Sequence, residues 1–169
     1  MKYFKTALVL CLICGICALL IASINLLTAP IIESNKIKAQ DKACSEIYPN
    51  MSYEEVELNS SASEIEKKWV AKDGEMVMGY IYSVSGKNSY GNISLLVGIN
   101  TDGSVERVVL TTNTQSYARV VKNHVADVYN NGHVTSLDDV DVKCGATYGA
   151  TLVKELIQVA VNDYLGGNN

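Results

Sequence analysis

Charge is missing from the first part of this 169-residue chain: residues 6–32, between Lys5 and Glu33, hold no Asp, Glu, Lys or Arg. Histidine is scarce as well. His124 and His133 are the only two, and neither stands in ligand spacing with a cysteine or a carboxylate. No metal or hydrolytic motif is therefore expected. Outside the apolar head the only cysteines are Cys44 and Cys144, which can pair in an oxidising compartment or remain two thiols. The 14 basic residues are outnumbered by 18 acidic ones, for a net charge of -4. A strongly basic surface is excluded, and with it a nucleic-acid partner. Internal repeats and low-complexity stretches are absent, and apolar runs such as Ile93 to Ile99 argue against disorder.

What is present begins with the uncharged run. A helix needs about 20 apolar residues to cross a ~30 Å hydrocarbon core, and residues 6–32 supply that length. A cleaved signal peptide would have a shorter apolar region, and Pro30 follows its best small-residue exit at Thr28-Ala29. An uncleaved anchor in the lipid bilayer is the better reading. Cys11, Cys14 and Cys17 share one helix face, where they fit packing rather than metal or redox chemistry. Lys2 and Lys5 before the span do not by themselves fix its orientation. The chain divides into an anchor over residues 1–33, a helical stalk over 34–50 ended by Pro49-Asn50, and one domain over 51–169.

In the domain, Tyr53 to Leu58 reads as a short strand. Ser63 to Trp69 reads as a short helix, because Ser63 and Glu66 have capping-box spacing. Met76 to Val84 alternates loosely, and Ser85-Gly86-Lys87-Asn88 reads as a turn. Tyr90 to Asn100 carries Ile93, Leu95, Val97 and Ile99 at period two, the pattern of a strand with one buried side. Thr101-Asp102-Gly103 is a hairpin turn leading to a strand over Val105 to Thr112. Ser116 to Tyr129 has helical spacing and stops at Asn130-Asn131-Gly132, followed by a polar connection from Thr135 to Asp141. Thr147 to Leu165 is an amphipathic helix. Strands grouped before helices give an α+β fold, with a small antiparallel sheet and a carboxy-terminal helix.

The stretch with chemical content is Asp141-Val142-Lys143-Cys144-Gly145-Ala146-Thr147. A turn of small residues feeding a helix leaves backbone N–H groups free at the positive end of a dipole, which suits a phosphate. Thr147 adds a hydroxyl there. On local physics alone, an ordinary threonine at a helix start is the simpler reading of the same residue.

This stretch resembles the flavinylation motif D-x-x-[ST]-G-A-T of FMN-binding domains. Such domains occur in the RnfG component of the Rnf ferredoxin:NAD oxidoreductase and in the corresponding component of the sodium-translocating NADH:quinone reductase. Asn25, Thr28 and Pro30 also resemble the N-x-x-T-x-P end of the RnfG anchor, and Tyr90-Gly91 and Asp102-Gly103 resemble its strand turns.

The resemblance implies FMN held covalently through a phosphoester on Thr147, attached by a separate flavin transferase that uses FAD and magnesium. Asp141, Cys144, Gly145, Ala146 and Tyr148 would form its surroundings, with Tyr117 or Tyr148 near the ring. It implies a domain outside the cytoplasmic membrane, and the other Rnf membrane subunits as partners in electron transfer. Cys144 stands where the motif has Ser or Thr, and Gly149-Ala150 where many members have Thr-Ser. Thr112 to Ala118 replaces the family's Glu-Thr-Pro-Gly-Leu-Gly segment. These departures leave two alternatives: a stand-alone FMN-domain redox protein, or a non-redox domain without flavin.

Overall fold

The computed structural model describes residues 2–58, 62–131 and 137–167. It contains two compact units, Met1–Gln40 and Asp41–Asn169. Gly132, His133 and Thr135, which belong to the expected stop and connection, lie outside the described residues.

The first unit is helical. Helix α1 runs over Lys2–Ile47, and its stretch Ala7–Ile32 is long and apolar enough to cross a membrane. The described side chains of that stretch are exposed, as suits a helix whose solvent is lipid. Its hydroxyls bond back to the helix. Ser23 Oγ donates to Leu19 O at 2.7 Å and Thr28 Oγ1 to Ile24 O at 2.9 Å. Pro30 stands inside α1, and the helix continues past it.

The second unit begins with the last turns of α1 and contains a five-stranded antiparallel sheet in the order β1-β2-β3-β4-β5. The strands are β1 Ser52–Val56, β2 Ile65–Asp73, β3 Met76–Asn88, β4 Gly91–Asn100 and β5 Val105–Asn113. Helix α2, Ala118–Val125, runs into a π-helical turn at Ala126–Asn130, and α3, Thr147–Gly167, closes the chain.

Period-two alternation makes β4 a strand, and its two faces go to two cores. Ile93, Leu95, Val97 and Ile99 join Tyr82, Val84 and Val108 under α2 and α3. Leu96 faces the other way. With Trp69, Ala71 and Ile81 it packs against Ala43, Cys44, Ile47 and Tyr48 at the end of α1. The strand expected to have one buried side therefore has two. Gly79 and Gly98 make the second contact possible, because a Cβ on either would collide with Tyr48 or Ile47. Residues 41–47, part of the expected stalk, thus belong to this packed unit.

Three local expectations are corrected. The helix expected over Ser63–Trp69 is instead the start of β2. A bulge between Ile65 and Lys67 hides the period of two, and the capping-box partner Glu66 accepts from Ser85 Oγ at 2.6 Å. Ser85-Gly86-Lys87-Asn88 is not a turn but the end of β3. A Cβ on Gly86 would lie 3.0 Å from Leu152 Cδ1, so this glycine makes room for α3. The expected continuous helix from Ser116 to Tyr129 changes to a π turn after Val125.

Asn130, expected only as a stop signal, closes the free side of β5. Its Nδ2 donates to Val108 O at 2.9 Å, and Val108 N donates to its Oδ1 at 2.8 Å. Asn130→Ala strands both backbone groups and is expected to cost about 1–3 kcal/mol. Thermal unfolding of the full chain in detergent checks this, with the exposed Asn131→Ala as a near-silent control; equal melting of the two variants counts against the role.

Candidate functional site

Helix α3 forms because Ala150, Val153, Leu156, Ile157, Ala160 and Tyr164 recur at helical spacing and are buried. That buried stripe holds it on the sheet, and its first turn meets two other segments. Gly149 faces Val121 of α2, where an added Cβ would lie 2.5 Å from Val121 Cγ2. On the other side, Asn88 Nδ2 donates to Tyr148 O at 3.1 Å, tying the β3–β4 turn to the helix start.

The approach to α3 is shaped by its own backbone. Asp141 Oδ1 accepts from Lys143 N at 2.9 Å, and Cys144 N donates to Val142 O at 3.0 Å. Gly145 then takes φ +83°, a left-handed conformation that glycine adopts at little cost. A Cβ there would meet nothing within 4 Å, so the loop is open to solvent at that point. Lys154 Nζ braces the loop from α3 by donating to Asp138 O at 3.1 Å.

The expected site residues sort by exposure. Asp141, Gly145, Thr147 and Tyr148 are exposed, Cys144 is half-buried, and Ala146 is buried in the core below α3. Gly149 N and Ala150 N both donate to Ala146 O at 3.0 Å. The N–H groups of Thr147 and Tyr148 have no acceptor among the described residues. The first turn carries no acidic residue to neutralise them. The arrangement presents a hydroxyl beside a positive helix end, a geometry suited to an esterified phosphate.

Cys44 and Cys144 are both free and pack against opposite faces of the sheet, so neither reaches the other. Burial, aided by the Asp41 charge, pushes the Cys44 thiol up to about 11.

Sequence reasoning missed the second layer of the site. Gln115 is buried, and its Nε2 donates to Asn88 Oδ1 at 3.0 Å and to Gly91 O at 2.7 Å. It belongs to the segment that replaces the family's Glu-Thr-Pro-Gly-Leu-Gly, and this departure was the one available signal. Tyr90 stacks on Tyr148. Tyr117 is exposed and makes no ring contact among the described residues.

His124, on α2, is buried with its ring edge-on to Tyr129 at 6.3 Å. Its Nε2 has no partner among the described residues. Burial holds the imidazole below its ordinary range, against the opposing pull of the Asp141 and Asp127 carboxylates. The unfolded chain takes up this proton near pH ~6.5, whereas the folded chain does not. This contribution is complete above that pH and is lost as pH falls toward the lower folded value. His124→Asn should flatten that acid-side decline, as read from melting temperatures of the full chain across pH. An identical pH profile in the two proteins would sink this account. Gly149→Ala, which forces Val121 aside, should cost about 1–3 kcal/mol in the same measurement at neutral pH.

A comparison with curated proteins finds no match. Residues 2–47, the whole of α1, match the family model described as the RnfG N-terminal region. This match and an apolar stretch of membrane-crossing length support a membrane-anchored protein. In that amino-terminal helix the chain resembles the RnfG component of the Rnf complex.

Proposed function

We propose that this protein is a membrane-anchored electron-transfer flavoprotein that carries FMN in phosphoester linkage on Thr147. Its domain lies outside the cytoplasmic membrane and works with the other membrane subunits of an Rnf-type complex. The observation that carries the reading is the exposed Thr147 hydroxyl at the start of α3, next to unpartnered N–H groups and the open space at Gly145.

Those residues fit the group. A phosphate on Thr147 Oγ1 would meet the N–H groups of Thr147 and Tyr148 and the positive end of the helix. Asp141 fixes the loop by accepting from Lys143 N, and Gly145 leaves its surface clear of a side chain. Attachment is a group transfer. The threonine oxygen bonds to the FMN phosphorus of FAD, the bridging phosphoanhydride bond breaks, AMP leaves, and the hydroxyl proton passes to the transferase or water. Once bound, the flavin supplies the redox chemistry, exchanging electrons in pairs or singly. The chain needs no acid or base of its own for this; it holds and orients the group. The tether keeps the cofactor at an effective concentration on the order of mM.

A second reading is an anchored FMN-domain protein working outside an Rnf-type complex. The observation in its favour is that Gln115 and its neighbours stand in place of the family's Glu-Thr-Pro-Gly-Leu-Gly segment. Co-purification of Rnf-like membrane subunits with the chain would reject it.

Co-expression with a flavin transferase tests the main reading. Intact mass should rise by one FMN less one water, with the modified peptide containing Thr147. Thr147→Ala should lose the adduct and Thr147→Ser should retain it. An unmodified wild type, or an adduct surviving in Thr147→Ala, would overturn the assignment.

A further inference from the structure

Two tyrosines lie nearly face to face beside Thr147. The rings of Tyr90 and Tyr148 have centroids 5.0 Å apart and planes inclined by 23°. Both are solvent-facing, at 45% and 67% exposure. Stacked aromatic pairs ordinarily add to a core or an interface, whereas this pair leaves broad π surface in water.

The pair is also held in place. Tyr90 N donates to Asn88 Oδ1 at 2.9 Å, while Asn88 Nδ2 donates to Tyr148 O at 3.1 Å. One asparagine side chain therefore ties both tyrosine backbones together. Its Oδ1 is fixed in turn by the buried Gln115, whose Nε2 also donates to Gly91 O. A buried amide thus supports an exposed aromatic surface at the start of α3. An aromatic surface ordered in advance binds a flat ligand with less loss of conformational freedom.

We propose that Tyr90 and Tyr148 form a stacking platform for a planar heteroaromatic ring, and that this ring is the isoalloxazine of the flavin carried on Thr147. The proposal rests on the Thr147 reading and deepens it. Tyr148 directly follows the acceptor residue, and the flexible ribityl phosphate lets the ring fold back onto a neighbouring face. An electron-poor isoalloxazine suits the electron-rich face of a phenol. The tether supplies a high local concentration, so even a modest stacking affinity orders the ring. Asn88 and Gln115 are positioning residues that hold the platform.

The test uses the full chain co-expressed with a flavin transferase and purified in detergent. Intact mass reports the adduct. Circular dichroism in the flavin bands and fluorescence anisotropy decay report the order of the ring. Tyr148→Ala and Tyr90→Ala should keep the adduct, lose flavin-band dichroism several-fold and gain a fast local component in the decay. Tyr148→Phe should keep both signals, since it retains the ring face. Tyr148→Leu gives the same readout as Tyr148→Ala with bulk preserved, in case the alanine variant folds poorly. Unchanged dichroism and decay in both tyrosine-loss variants would overturn the platform while the Thr147 assignment stands. The same holds if only Tyr117→Ala loosens the ring. A wild-type chain without the adduct would instead overturn the Thr147 assignment itself, and the platform with it.

Discussion

The fold of the second unit depends on covering both faces of β3 and β4. Each fully buried aliphatic side chain there is worth about 1.5–3 kcal/mol relative to exposure. Ile93, Leu95, Val97 and Ile99 bring that gain only with α2 and α3 above them. Ile81 and Leu96 need Cys44, Ile47 and Tyr48 on the other side. The last turns of α1 are therefore part of the core. The segment that ends the anchor helix is also the segment that completes the sheet.

That double covering also separates two tasks along the strands. Tyr48 meets the sheet at Gly79 and Asn100, where its hydroxyl donates to Asn100 Oδ1 at 2.8 Å. The start of α3 meets it at Asn88, the opposite end of β3. At roughly 3.3 Å per strand residue, the span from Gly79 to Asn88 is about 30 Å. The packed end of α1 and the threonine at the α3 start therefore lie toward different ends of one sheet. Under the proposed function, this spacing holds the flavin well away from the residues that join the domain to its anchor helix.

Much of this was legible in the residues, and the exceptions have physical causes. Strand β4 declares itself by period two, and α3 by its buried stripe. The α+β class follows from grouping strands before helices. Strand β2 is obscured because its bulge shifts the alternation just where Ser63 and Glu66 imitate a helix cap. Gly86 reads as punctuation because nothing nearby in the chain shows that Leu152 and Leu156 occupy the space beside it. At the candidate site, Thr147 and its loop are contiguous and carry a motif. Their supports are not contiguous. Gln115 and Asn88 are 27 residues apart, and Asn88 and Tyr148 are 60 apart. The pairing of β4 with β3 and with β5, and the packing of α3 on β3 and β4, bring them together.

An open five-stranded sheet has two outer strands, and each is guarded differently. Along β1, Glu54 and Glu55 pair with Lys72 and Lys67 and leave a charged margin. Along β5, the Asn130 amide already occupies the hydrogen bonds that an incoming strand would need at Val108. A domain confined near a membrane meets its own copies at high local density, where bare strand margins would polymerise. One asparagine and two cross-strand ion pairs thus guard these margins against another copy of the chain.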